Sequence, residues 1–370
     1  MVNSMKNDDL EKYIFSDNDV FYYSGGYQYL RVFYYLRSIN KNIILLTTKR
    51  GIYDYAKSIK IPVYFFKPIE LDLNIKNPLN CVRYLFELIK YKKRVQDFIN
   101  KYEGAKIFHN VECVDICFLY FIKKCRETYQ IKTYKFHNQV KLDFFNEKSF
   151  KNKYFILYPW LYSSIFGLGL TAKKVSGEPL ICATKEYSNI QLNLNLNKIK
   201  NISQIVDSYT QKDHEVSKKI FFILGHSFKA DSYYYDEQSL RYFYEFFHKK
   251  YSNILYKIHP GYPDYFSSMK SCSFQDSIDY FEYSNLPIES IKFSNCVIIS
   301  LNSYGIVNLK ANQKSFYLID LINKSDLWDH KSYKSWLYKL ILENNSDVTF
   351  IKTYEQLTSE IDVFLKNDNE

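Results

Sequence analysis

Short apolar runs alternate with amphipathic stretches along the first half of the chain. Residues 20–24 predict a strand closed by a Gly25-Gly26 turn, and residues 27–38 a helix. Residues 43–48 are apolar and rich in β-branched side chains, the mark of a strand buried on both faces. A helix over 52–59, a strand over 63–66 and a long helix over 80–100 follow. Strands at 106–109 and 132–137 then flank a helix at 114–129. Strand and helix in strict alternation imply a parallel sheet covered by helices.

From residue 185 the rhythm breaks. An Asn-Leu alternation at 192–197 leads into a polar stretch with weak periodicity, so 186–219 is expected to be a connection. It would separate an N-terminal domain, residues 1–185, from a C-terminal domain, residues 220–370. The alternation resumes with a strand at 220–224, a helix at 237–250 and a strand at 254–258. A short helix at 288–294, a strand at 296–300, a helix at 303–311 and a strand at 316–319 come next. Helices at 336–343 and 354–365 end the pattern. The fold class expected is α/β, with two Rossmann-like halves facing a cleft.

Composition narrows the functional classes. Of 370 residues, 46% are hydrophobic and 24% charged, a globular balance that excludes global disorder. No apolar stretch is long enough to cross a bilayer, and the first ten residues are polar, so a cytoplasmic protein is expected. Seven cysteines with no close pair argue against a disulfide framework and fit a reducing compartment. Zinc at Cys113, Cys117 and Cys125 is disfavoured, because the usual paired spacing is missing. The net charge of +10 is spread thinly along the chain. Nucleic acid would need a denser basic stripe, whereas peripheral contact with an anionic inner membrane surface remains compatible.

Three strand ends in the second half carry candidate chemistry. Ligands of open α/β sheets bind beyond the carboxyl ends of strands. Lys257-Ile258-His259-Pro260-Gly261 closes the strand at 254–258. Pro260 biases His259 toward extended backbone, and Gly261 lets the chain pass close to a ligand. A histidine titrates near neutrality and can bind or protonate a phosphate. Ser300-Leu301-Asn302-Ser303 closes the strand at 296–300. Its hydroxyls and a following helix start suit an anion, or serve simply as a cap. Gly225-His226 closes the strand at 220–224, and Glu289 could hold ribose hydroxyls. In the first half, His109-Asn110 and His137-Asn138 end strands, and either histidine could act as a base. Asp17-Asn18-Asp19 precedes a strand instead of following one, so no metal is expected. No GxGxxG, P-loop or GxSxG motif occurs.

The order Lys-x-His-Pro, then Leu286-Pro287-Ile288-Glu289, then the serine segment 300–303 resembles the bacterial GT-B sialyltransferases. In that family a His-Pro motif follows a strand, and a later serine motif binds the phosphate of CMP. The resemblance spans about residues 220–320. It implies a GT-B glycosyltransferase of surface polysaccharide or lipooligosaccharide synthesis, working with inversion, without metal or cofactor, on CMP-sialic acid and a glycan or lipid-linked acceptor. His259 would be the acid. Gly225, His226, Lys257, Pro260, Gly261, Glu289, Ser300, Asn302 and Ser303 would line the donor. The family's paired-acid-glycine motif is missing from its expected place near residues 134–138, which leaves His137 as the candidate base. A CMP-Kdo, CDP-polyol or UDP-sugar transferase shares the His-Pro turn. A non-catalytic sugar- or nucleotide-binding protein on the same fold is the alternative from another class.

Overall fold

A computed structural model gives the fold. It describes residues 10, 13–15, 17–26, 29–69, 78–110, 116–137, 163–175, 178–183, 185–194, 202–209, 214–217, 220–225, 228–258, 265, 266, 269, 274, 278–282, 286, 288, 291–301, 303, 305, 306, 309, 314–325, 330–344 and 347–367. The chain divides into two compact units, Met1–Tyr209 and Thr210–Glu370.

The first unit is built on β1 (Val20–Tyr23), β2 (Ile44–Thr47), β3 (Val63–Phe65), β4 (Lys106–His109) and β5 (Lys132–His137). A two-stranded antiparallel pair, β6 (Leu170–Val175) and β7 (Glu178–Ala183), lies apart from the main sheet. β8 (Ile190–Asn193) completes the sheet in the order β3-β2-β1-β4-β5-β8, parallel throughout. This is the doubly wound order 3-2-1-4-5-6. The described residues of the connection expected at 186–219 therefore include regular elements. Its alternating Gln191, Leu192 and Asn193 pair with β5, and helix Ile202–Tyr209 packs on helix Leu30–Ile39 through stacked Tyr34 and Tyr209 rings. Helices Pro78–Lys101 and Ile116–Thr128 cover one face, where Phe21, Phe66, Phe98, Phe118 and Phe121 interlock. The chain enters β4 through Gly104, whose φ of +82° other residues rarely adopt.

The second unit repeats the order. β9 (His214–Ser217) precedes β10 (Ile220–Ile223), β11 (Ile254–Lys257), β12 (Asp279–Tyr280), β13 (Ile291–Ser294), β14 (Val297–Ser300), β15 (Lys314–Tyr317) and β16 (Val348–Phe350). The main sheet runs β12-β11-β10-β14-β15-β16, again 3-2-1-4-5-6, while β9 pairs with β13 alone. The chain is thus α/β, two Rossmann-type units in succession, as the GT-B-like expectation requires of each half.

Helix Glu237–Lys250 shows why the pattern was readable. Leu240, Phe243, Tyr244 and Phe247 are buried at the 3–4 spacing of one helical face. Asp236 caps the start by accepting the Ser239 N–H at 2.8 Å, and His248, Lys249 and Lys250 complement the dipole at the end. One expected helix is corrected. Residues 291–294 form β13, because Ile291 and Phe293 are buried while Lys292 points out, which is a period of two. Most of the helix expected at 303–311 lies outside the described residues, of which Gly305 and Ile306 form a 3₁₀ turn.

Candidate functional site

The carboxyl edge of the second sheet gathers the motif segments. Strand β10 lies between β11 and β14, and the register aligns Lys257, Ile223, Ser300 and Tyr317 in one row. Lys257 and Ser300 are two strand spacings apart, about 10 Å, with side chains on the same face. Connections from β10 and β14 leave toward opposite ends of the sheet order, so this edge is the topological switch point where ligands of such sheets bind. The Leu224 N–H donates to Lys257 O at 3.0 Å, which extends the pairing to Leu224, and the Gly225 that follows is buried. Lys257 is also buried.

The two serines have different work. Ser300 is fully buried, and its Oγ accepts the Ser303 N–H at 2.9 Å, closing the turn after β14. Two tyrosines seal that turn. Tyr317 donates to Ser303 O at 2.6 Å, and Tyr235 donates to Leu301 O at 2.8 Å. Ser300 therefore braces the loop. The Ser303 hydroxyl has no hydrogen-bond partner among the described residues, and the side chain is half-buried.

His226, His259, Pro260, Gly261, Glu289 and Asn302 lie outside the described residues, as does the side chain of His137. Their described neighbours are fixed: Ile258 follows β11 directly, Ile288 is buried, and His137 ends β5.

A buried carboxylate beside this edge escaped the sequence reading. Asp231, in helix Phe228–Tyr234, is fully buried and accepts a hydrogen bond from Tyr265 on Oδ2. Tyr244 joins Tyr265 at 2.9 Å. Burial, with Asp231 beside them, pushes both phenols well above the ordinary tyrosine value, so they stay protonated as donors. The signal in the sequence was an aspartate within an aromatic segment, too common to single out.

The corresponding edge of the first unit is closed by its own side chains. Tyr22 donates to Asn110 Oδ1 at 2.5 Å, and Tyr23 meets Thr48 Oγ1 at 2.8 Å. His109 is buried, stands edge-on to Phe118 and pairs through Nε2 with Ser188 Oγ at 2.7 Å. Burial pushes its pKa down to about 3, so the ring is neutral. Glu186 lies close by. Burial raises its pKa, but the Ser188 N–H and Lys135, at 2.9 Å each, outweigh that and hold it below the usual carboxylate range. Cys117 and Cys125 are buried in the same unit, and burial pushes the Cys125 thiol far up. Cys113 lies outside the described residues. No described helix is long and apolar enough to cross a membrane.

No protein-family model and no curated protein sequence matches this chain. Among solved structures, the chain is similar to a putative UDP-N-acetylglucosamine 2-epimerase from Listeria monocytogenes. That match has 11% identity and a TM-score of 0.46, covering 96% of this chain and 89% of the other. It is also similar to a glycosyltransferase from Rickettsia africae ESF-5, with 11% identity and a TM-score of 0.33, covering 95% of this chain and 99% of the other.

Proposed function

We propose that the chain is a glycosyltransferase of bacterial surface polysaccharide or lipooligosaccharide synthesis whose second unit holds a CMP-linked sugar. The observation that carries this reading is the row at the switch point. Lys257, which opens the His-Pro segment, and Ser300, which opens the serine segment, are far apart in sequence yet share one register line and one face. A phosphate over that edge would meet the Lys257 charge, the Ser303 hydroxyl and His259, with the Ser300 brace setting the loop.

The proposed step is inverting sialyl transfer without metal. The acceptor oxygen bonds to the anomeric carbon as the bond from that carbon to the phosphate oxygen breaks. CMP leaves with the electron pair, and His259 stabilises or protonates its phosphate. The acceptor's proton passes to a base, for which His137 is the candidate. CMP is a fair leaving group, so placed positive charge and hydrogen-bond donors account for more of the catalysis than strong acid.

A thermal-shift panel with CMP, CDP, UMP, UDP and GDP tests the donor. A nucleotide that binds only the folded chain stabilises it by about 2.7 kcal/mol at a hundred times its dissociation constant. Selective stabilisation by CMP is expected. A response to UDP or GDP alone would overturn the CMP donor, and silence across the panel would overturn nucleotide binding. With a CMP response in hand, His259→Ala should lower turnover about a hundredfold or more, measured as CMP release.

A further inference from the structure

A pocket lies on the Thr210–Glu370 unit, and none of its described lining residues belongs to the motif segments. Helix Glu237–Lys250 begins beside the segment that follows β15. There the Asp236 N–H donates to Asn323 O at 2.8 Å, and Asn323 Nδ2 donates to Ser239 Oγ at 2.9 Å. An antiparallel bridge between Tyr235 and Lys324, and the Ser325 N–H donating to Tyr234 O at 3.0 Å, lock the two segments together. Against them opens a pocket of about 500 Å³, within the range of small-ligand sites.

Its lining combines aromatic faces with side chains that retain hydrogen-bonding capacity. Tyr354 is held by Phe246 at 4.8 Å and stands edge-on to Tyr242 at 5.7 Å and 85°. Tyr242 is 60% exposed, on a helix whose opposite face is the core. The side-chain amide of Gln238 and the side-chain Oδ1 of Asn323 have no hydrogen-bond partner among the described residues. Leu321 and Ile322 add apolar lining.

Charge selects the ligand class. The Ser239 N–H holds the Asp236 carboxyl below its ordinary range, so the pocket carries a negative charge at neutral pH. Among the described residues, no lysine, arginine or histidine lines it. A phosphate or a carboxylate sugar would meet that charge uncompensated. An ammonium ion offers donors only and would leave the N–H groups of Gln238 unmatched. Vicinal hydroxyls both donate and accept, and so match an amide beside a carboxylate. The C–H face of a pyranose fits the electron-rich face of Tyr242. We infer that this pocket binds a neutral pyranose unit of a glycan, separate from the nucleotide edge.

Saturation-transfer NMR on the full chain tests it, with methyl β-galactopyranoside, methyl α-glucopyranoside, methyl β-N-acetylglucosaminide and choline as probes at about 10 mM, suited to millimolar binding. At least one pyranoside should receive saturation. Tyr242→Ala, at an exposed position, should weaken it about fivefold or more while leaving the melting temperature and any CMP response unchanged. Silence from all three pyranosides, binding of choline alone, or equal saturation in Tyr242→Ala would overturn the inference. Loss of the nucleotide response with pyranoside binding intact would count against the donor reading only.

Discussion

The two sheets share one strand order and differ at the edge where such sheets bind ligands. In the first unit the row ends in Tyr23 and His109, both buried against neighbouring side chains. His109 meets Ser188, Tyr22 meets Asn110, and Glu186 meets Lys135. In the second unit the row ends in Lys257, Ile223 and Ser300, and Gly225 follows without a side chain to fill the space. Topology alone therefore does not make a site. In the first unit the side chains of that edge bond to one another, whereas in the second the row sets Lys257 and Ser300 either side of Ile223, and tyrosines bond to the backbone of the turn after β14.

The largest effect that should separate the units comes from their cores. Phe222 on β10 is enclosed by Phe243, Tyr244, Phe247 and Tyr256. Phe222→Ala should cost the second unit about 3–5 kcal/mol. Hydrogen exchange should show protection lost in the second unit and kept in β1 and β4. Equal loss in both would mean that the units unfold as one.

Acid should weaken both units through different histidines. His109 has a folded pKa of about 3, and burial holds His248, paired with Tyr256, at about 4. Each is neutral when folded and takes up a proton on unfolding below about 6.5. Their contribution is complete above that pH and is lost as pH falls toward the folded values. For His109 the loss approaches about 1.4 kcal/mol per pH unit. Urea unfolding of the first unit at pH 7 and pH 5.5 should show it, and His109→Gln should flatten the dependence. A slope unchanged by that substitution would assign the acid response elsewhere.

The smallest predicted effects divide the two serines. Ser300→Ala removes the acceptor for the Ser303 N–H and should cost about 1 kcal/mol in stability, as loss of a cap does. Ser303→Ala should leave stability unchanged and weaken CMP about tenfold, read from the same thermal-shift titration. The reverse pattern would exchange their roles.

Much of this fold was legible in the sequence. Strands such as β4 and β5, and helix Glu237–Lys250, announce themselves through burial periodicity, caps and dense apolar runs. The edges of the sheets did not. β8 hides in an Asn-Leu alternation, and β12 and β16 are two and three residues long, too short for any period to register. The site was half legible. A residue's place at a strand end can be read locally, so Lys257 and Ser300 were placed at the ends of their strands. The roles of His109 and Asp231 depend on partners 79 and 34 residues away, which no local pattern reveals.

The central strands also set a timetable. β10 is the first strand of its sheet to be made, yet its neighbour β14 follows roughly 70 residues later, with β11 arriving between them. At about 5–20 residues per second, the ribosome exposes the wholly apolar Ile220–Ile223 segment for roughly 4–15 seconds before its second flank exists. β1 waits about as long for β4. During translation each half passes through an interval with a sticky, half-paired centre, and the yield of native chain depends on keeping that interval short or chaperoned.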